Sequence, residues 1–309
     1  MQKFYELLPE QQNTAVALGF FDGLHKGHRN VITLAAKERA NGLLPVCFTF
    51  AQSPKSVLTG LSPCALMTEE DKTNALQSLG IEHIYEPDFT KIKDICAEDF
   101  FKNILLDTLK AKKLFCGFNY RFGKNGEGDV SLLERLCREN AIELTVVPPE
   151  KVDGQVVSST LIRNLILDGN IKLANQMMCS RFGFSSIIEH GKRLGRTLGT
   201  PTINQPLLQG LAVPKFGVYA SVVTLENGKS YCGVSNVGIK PTVGGTVPLC
   251  ETWMPEYSEG EIYGQTADVR LIEFIRPEKK FASIDEMKNA IIDNGKTALK
   301  IFYAEQYEQ

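Results

Sequence analysis

Two histidines three residues apart stand out in Leu18-Gly19-Phe20-Phe21-Asp22-Gly23-Leu24-His25-Lys26-Gly27-His28, which leaves an apolar run through two glycines and enters an amphipathic stretch. Residues three apart at a helix start share one side, so His25 and His28 point the same way. The orphan N–H groups and positive dipole end of such a helix favour an anion, and Gly27 lets backbone approach a phosphate. The segment reads as a phosphate site, with Gly19, Phe21 and Asp22 in the turn that carries it. The plain alternative is a strand-turn-helix joint with solvated imidazoles. Against it, the chain has four histidines and two of them fall here.

A second group is Ser158-Ser159-Thr160-Leu161-Ile162-Arg163, hydroxyls at a helix start followed by an arginine on the first turn. Ser159, Thr160 and the Arg163 guanidinium suit the oxygens of a nucleotide triphosphate, although an N-cap with a surface arginine has the same composition. A third runs from His190 to Asn204. Gly191, Lys192, Gly195 and Arg196 combine flexible backbone with positive charge that can cover a diphosphate. Thr202 and Asn204, two apart on an extended segment, turn a hydroxyl and an amide oxygen to one side and suit Mg²⁺. By composition alone this group reads sooner as a basic surface hairpin. No G-x-x-x-x-G-K-[ST] occurs, which argues against a P-loop enzyme.

The elements that must position these residues change character midway. Short β-branched or aromatic runs at 14–18, 46–50, 113–116 and 143–147 alternate with amphipathic stretches at 30–40, 68–79, 98–109 and 130–139. That alternation predicts a Rossmann-like parallel sheet covered by helices, with ligands beyond the carboxyl ends of its strands. Two more helices are expected at 160–167 and 171–178, split by Asp168-Gly169-Asn170. From Phe184 to Phe274 the runs are short and rich in Val, Tyr, Ile and Thr, with Asn227-Gly228 and Gly244-Gly245 as hairpin signals, so an antiparallel barrel or sandwich is expected. Ser283 and Glu286 form a capping-box pair ahead of a final helix with an apolar stripe at Ile284, Met287, Ile291, Ala298 and Ile301. The expected domains are 1–181 and 182–309.

At 309 residues two cores are the natural division, and 43% apolar with 23% charged residues describes a folded chain. A net charge of -2 gives no field to draw it onto nucleic acid or an anionic membrane, so a small-molecule partner is expected. The first ten residues include Lys3, Glu6 and Glu10 without an apolar run, and no stretch nears the ~20 apolar residues that span a bilayer. A cytoplasmic protein is expected. Eight cysteines, scattered without C-x-x-C, read as buried thiols.

Taken together, the H-x-G-H and S-S-T-x-I-R words resemble the nucleotidylyltransferase superfamily. Gly19 to His28, Gly117-Phe118-Asn119-Tyr120-Arg121-Phe122-Gly123 and Gly126-Glu127-Gly128-Asp129 narrow this to the FMN adenylyltransferase module of bacterial bifunctional riboflavin kinase/FAD synthetases. In the second half, Pro214 to Tyr219, Asn236 to Thr242, Glu251-Thr252-Trp253 and Ile262-Tyr263-Gly264 follow in the order seen in riboflavin kinases. The resemblance implies a nucleotidylyltransferase-like domain and then a six-stranded riboflavin kinase barrel. It implies riboflavin, FMN, FAD and ATP as substrates and products, with Mg²⁺ as cofactor.

By the same resemblance, His25, His28, Ser159, Thr160 and Arg163 hold the triphosphate and the leaving pyrophosphate, and Asn119 and Arg121 lie on a second ligand-facing loop. Mg-ATP sits near Thr202 and Asn204, and Glu251 is the general base toward the ribityl hydroxyl. Adenylyl transfer itself needs mainly placement and charge neutralisation, since the FMN phosphate is already an anionic nucleophile.

Three departures mark this chain. Phe50-Ala51-Gln52-Ser53-Pro54 stands where the family has F-x-P-H-P, and Cys179-Ser180-Arg181-Phe182 stands where a hinge word ends in G-R-P-Y. Trp253 replaces a polar residue or histidine, either stacking on an isoalloxazine or filling the barrel. The changes at Gln52 and Ser53 and at Trp253 keep two other readings open: a kinase whose adenylyltransferase half is weak, and a flavin-binding regulatory protein without turnover.

Overall fold

The computed structural model describes residues 2–4, 12–53, 60, 64–190, 199–242 and 245–307. Two compact units result, Met1–Pro63 with Thr68–Ser159, and Cys64–Met67 with Thr160–Gln309.

In the first unit six parallel strands form one sheet. They are β1 (Gln2–Phe4), β2 (Thr14–Leu18), β3 (Leu44–Phe48), β4 (His83–Tyr85), β5 (Ala111–Gly117) and β6 (Glu143–Val147), in the order β1-β4-β3-β2-β5-β6. Thr14–Leu18 and Leu44–Phe48 are buried at every position, as parallel strands covered on both faces must be. Helices α1 (Lys26–Lys37), α2 (Glu69–Ser78) and α3 (Val130–Glu139) supply the cover. From β2 the chain steps outward through β3 to β4, then returns to β5 on the other side of β2. The strand order therefore reverses between β2 and β5, where a crevice opens at the carboxyl edge. Register levels that edge: Leu18 is opposite both Phe48 and Cys116.

The expected strands and helices of this unit are present, β2, β6 and α3 with the expected ends and the others with shifted ones. The third strand begins at Leu44 because Pro45 is tolerated in it, its carbonyl accepting from Glu82 N at 3.2 Å. The stretch expected as one helix at 98–109 is a short α-helical segment, Ala97–Asp99, running into a wider π-type helix, Phe100–Thr108, which buries Phe100, Phe101, Ile104 and Leu105. Strands β1 and β4, three residues each, are additions to the sequence-based reading.

The second unit begins with α4 (Ser159–Leu167, its first residue in the other unit) and α5 (Ile171–Met178). Six antiparallel strands follow: β7 (Gly183–Ile187), β8 (Thr202–Pro206), β9 (Gly217–Leu225), β10 (Ser230–Thr242), β11 (Gly245–Trp253) and β12 (Thr266–Pro277), with neighbours in the order β8-β11-β10-β9-β12-β7. The two ends of that order meet. Glu189 N donates to Asn204 O at 2.8 Å just beyond β7. The buried Gln205 amide donates to Ser186 O and Ala267 O, both at 2.8 Å, fastening β8 to β7 and β12. The result is a nearly closed barrel.

Helix α6 (Ile284–Tyr307) completes the unit. Its cap is half of the expected box: Glu286 N donates to Ser283 Oγ at 3.1 Å, while the Glu286 carboxylate accepts from Ala282 N instead of Ser283 N. The expected stripe is corrected at its start, since Ile284 is 68% exposed. Burial concentrates later, where Ala298 and Phe302 pack with Val218, Ala220, Cys232, Val234 and Ile272 of the barrel wall.

Candidate functional site

Beyond Leu18 the chain turns through three residues with positive φ, Phe21 at 56°, Gly23 at 78° and Leu24 at 39°. Such conformations are costly for Phe and Leu and persist only where surroundings enforce them. Side chains hold the carbonyls of this loop one after another. Thr49 Oγ1 donates to Phe20 O at 2.9 Å, Ser159 Oγ to Asp22 O at 2.9 Å, and Arg29 Nε to Leu24 O at 3.0 Å. Phe21 is buried beneath Gly19, where an added Cβ would come within 2.9 Å of its ring.

His25 is the N-cap of α1, its Nδ1 accepting from His28 N at 3.3 Å. The two imidazoles stack with centroids 3.6 Å apart, and Phe21 meets His28 edge-on at 5.3 Å. Burial pushes His25 down to about 4. His28 lies well below its ordinary range through burial, then His25, then the Lys72 ammonium. Both rings are neutral near pH 7. Since His25 Nδ1 accepts, its proton sits on Nε2, leaving an N–H donor for an anion at the helix start. His28 Nδ1 is buried without a partner among the described residues.

On the other side of the strand-order reversal, β5 ends at Gly117 and the chain folds back, Tyr120 N donating to Gly117 O at 3.0 Å. Tyr120 stacks on the buried Phe122, while Phe118, Asn119 and Arg121 are exposed; Arg121 lies 3.9 Å from Asp129. Thus the His loop and the Asn119–Arg121 loop leave adjacent strands at one level. A cavity of 690 Å³ opens beside them, beyond β3 and β4, with Phe50, Gln52, Tyr85, Glu86 and Phe89 in its wall. Glu86 is 6% exposed; its Oε2 is 3.6 Å from Lys3 Nζ and its Oε1 has no partner among the described residues.

Tyr85, Glu86 and Phe89 escaped the sequence reading because β4 is too short to show a period. Ser159 joins the His loop through Asp22. Thr160 and Arg163 begin the second unit, where Arg163 Nε donates to Cys64 O at 2.7 Å.

On the barrel, register builds the second site. Glu251 on β11 is paired with Asn204 on β8 and with Asn236 on β10, and Trp253 is paired with Thr202 and Val234. Direct partners and alternate residues share a face, so Thr202, Asn204, Glu251, Trp253 and Asn236 lie on one side of the sheet. Asn236 is an addition to the sequence-based set. Trp253 packs in the cluster beneath α6, and a Cβ at Gly295 would come within 2.7 Å of its ring. Gly191, Lys192, Gly195 and Arg196 lie outside the described residues. Just before them, His190 stacks on Tyr263 at 4.1 Å.

The row Asn204-Glu251-Asn236 beside Thr202 offers amide, carboxylate and hydroxyl oxygens, the hard donor set that fits Mg²⁺. Among the described residues no group of three or more His, Cys, Asp or Glu is gathered to hold a metal, and no helix is long and apolar enough to cross a membrane.

Comparison with known proteins assigns a family to each half of the chain. Residues 7–161 match the FAD synthetase family model and residues 178–302 the riboflavin kinase model. The bifunctional riboflavin kinase/FMN adenylyltransferase of Escherichia coli is 32% identical over 295 residues, covering 94% of each chain. That of Bacillus subtilis is 32% identical over 299 residues, covering 95% of this chain and 94% of its own. A crystal structure of a macrolide-efflux protein from Streptococcus pneumoniae superimposes with a TM-score of 0.87 at 29% identity, over 96% of this chain and 97% of that one. By these matches, over both halves and at 32% identity along 94% of its length, this chain belongs to the bifunctional riboflavin kinase/FMN adenylyltransferase family and carries both of its transferase domains.

Proposed function

We propose that riboflavin is phosphorylated on the Glu251 face of the barrel and that the FMN formed is adenylylated at the His25–His28 crevice. The observation that carries this is the Asn204-Glu251-Asn236 row, which sets a carboxylate between two amides on the face that also bears Thr202. Glu251 accepts the ribityl hydroxyl proton as that oxygen attacks the γ-phosphorus of ATP. Thr202 and Asn204 hold a magnesium ion, which when bound neutralises phosphate charge. Gly191, Lys192, Gly195 and Arg196 cover the ATP phosphates, and Trp253 borders the flavin.

In the first unit the 690 Å³ cavity takes the isoalloxazine against Phe50, Tyr85 and Phe89, a size and lining suited to a flat aromatic ligand. The unpartnered Glu86 oxygen accepts from a ring N–H. Asn119 and Arg121 border the flavin. His25 and His28, the Gly19–Asp22 turn, Ser159, Thr160 and Arg163 bind the ATP phosphates, His28 donating to the leaving group. The functional division we propose is 1–181 for adenylyl transfer and 182–309 for the kinase, so α4 and α5 serve the first activity while packing in the second compact unit. Eight free cysteines fit the reducing cytosol as its place of work. Neither nucleic acid nor membrane is a partner in this reading.

Incubation with riboflavin, ATP and Mg²⁺, followed by chromatography of the flavins, tests the proposal. FMN first and FAD later is the expected result. Arrest at FMN leaves only the kinase, unconsumed riboflavin overturns the kinase assignment, and failure to make FAD from supplied FMN overturns the other.

A further inference from the structure

We propose that Lys72 is a catalytic residue of adenylyl transfer, its ammonium the cation that receives the FMN phosphate. The inference rests on the reading of the first unit given above.

Lys72 lies on α2 one turn before Leu76, on the helix's inner face, and is 5% exposed. Its Nζ donates to Phe50 O at 3.3 Å and lies 5.1 Å from the centroid of the Phe20 ring. Among the described residues it has no carboxylate partner. Glu86, which shares the surroundings of Cys47 with it, directs its carboxylate to Lys3 instead. Both contacts of this buried cation are therefore neutral, and the ammonium has three donors. A buried charge left in that state is costly, and an anion arriving beside it relieves the cost.

The two contacts also say which anion. Phe50 is in the wall of the flavin cavity, and Phe20 is in the loop that leads to His25 and His28. Lys72 stands where a phosphate attached to a flavin in the cavity meets a nucleotide at the helix start. The reaction joins two anionic groups, yet His25 and His28 are neutral and contribute donors without charge. Lys72 supplies positive charge at that junction. An FMN phosphate oxygen forms the new bond to the α-phosphorus of ATP, the bond from that phosphorus to the bridging oxygen breaks, and its electron pair leaves on pyrophosphate. No proton moves.

The test uses the full chain with Lys72→Met and Lys72→Arg. Conversion of FMN to FAD by Lys72→Met is expected to fall about 100- to 1,000-fold in kcat/KM, the scale of losing one charge-stabilising donor, with Lys72→Arg in between. Riboflavin phosphorylation reports that the chain is folded and is expected to be unchanged. In a Glu251→Gln background, where riboflavin is consumed about 100-fold more slowly or less, riboflavin, which has no phosphate, is expected to inhibit FAD synthesis through the cavity. Its inhibition constant is expected to hold in Lys72→Met while the KM for FMN rises. Equal weakening of riboflavin and FMN, or unchanged FAD synthesis, overturns the proposal for Lys72 alone. Failure of the unsubstituted chain to make FAD overturns the underlying reading with it. If Lys72→Met loses kinase activity too, Lys72→Gln replaces it, with the same losses expected.

Discussion

His25 accepts the amide hydrogen of His28 through Nδ1 at 3.3 Å while the two imidazoles stack 3.6 Å apart. One residue thus caps α1, and it does so only while its Nδ1 is unprotonated.

Acid should therefore loosen this unit. The folded His25 titrates at about 4, below its ordinary 6.5, so between those values the unfolded chain binds the proton more readily. The stability this gives is fully present above pH 6.5 and is lost as pH falls toward 4, to a total of about 3 kcal/mol. His28 acts in the same direction. His25→Asn keeps a capping oxygen without titrating. Urea denaturation followed across pH 4 to 7 should show a shallower decline for His25→Asn; an identical decline would mean the cap does not carry the effect.

Separate sites should fail separately. Glu251→Gln keeps the size and one hydrogen-bonding oxygen but cannot take a proton, so FMN formation should fall by about 100-fold or more. FAD synthesis from supplied FMN should remain. Loss of both activities would show that the Asn204-Glu251-Asn236 row does not act alone.

The barrel wall has a second row on its other face. Ser221 Oγ, Ser235 Oγ and Thr252 Oγ1 form a chain with 2.7 Å links, all fully buried. Ser235 and Thr252 precede and follow Asn236 and Glu251 on their strands, so the chain helps fix the register that pairs those two. Thr252→Val keeps the shape and removes one link; it should cost about 1–3 kcal/mol because Ser235 loses a partner in the interior. The double variant with Ser235→Ala should cost less than the sum, which denaturation of the four proteins would measure.

How far such features were legible in the chain depends on whether their signal is local. Strand β2 and helix α3 carry full periods and were read to the residue, and H-x-G-H announced a helix start. β1 and β4 have three residues each and show no alternation. The π-type helix keeps the apolar spacing of an ordinary one, so its extra width was invisible. Lys72 and Glu86 look like surface charges on their own segments; only the folded sheet buries them. Asn236 became a site residue through pairing with Glu251, a register no single strand encodes. Trp253 presented the harder choice between ligand and core, and α6 answers part of it by packing on the ring.

That packing makes Gly295 decisive. In the middle of a helix alanine ordinarily stabilises by about 1 kcal/mol over glycine. Here the added methyl would come within 2.7 Å of the Trp253 ring, beneath a helix whose Ala298 and Phe302 cover the same wall. Overpacking costs about 1–3 kcal/mol, so Gly295→Ala should destabilise the barrel on balance. Trp253 shares its face with Glu251 and Thr202, so a displaced ring should also raise the KM for riboflavin, while FAD synthesis from FMN stays unchanged. Thermal melting and the two assays on Gly295→Ala decide it: a more stable protein with unaltered riboflavin kinetics would show that the helix yields to the methyl and leaves the Trp253 ring in place, whereas a less stable protein with unaltered riboflavin kinetics would show that Trp253 does not border the flavin.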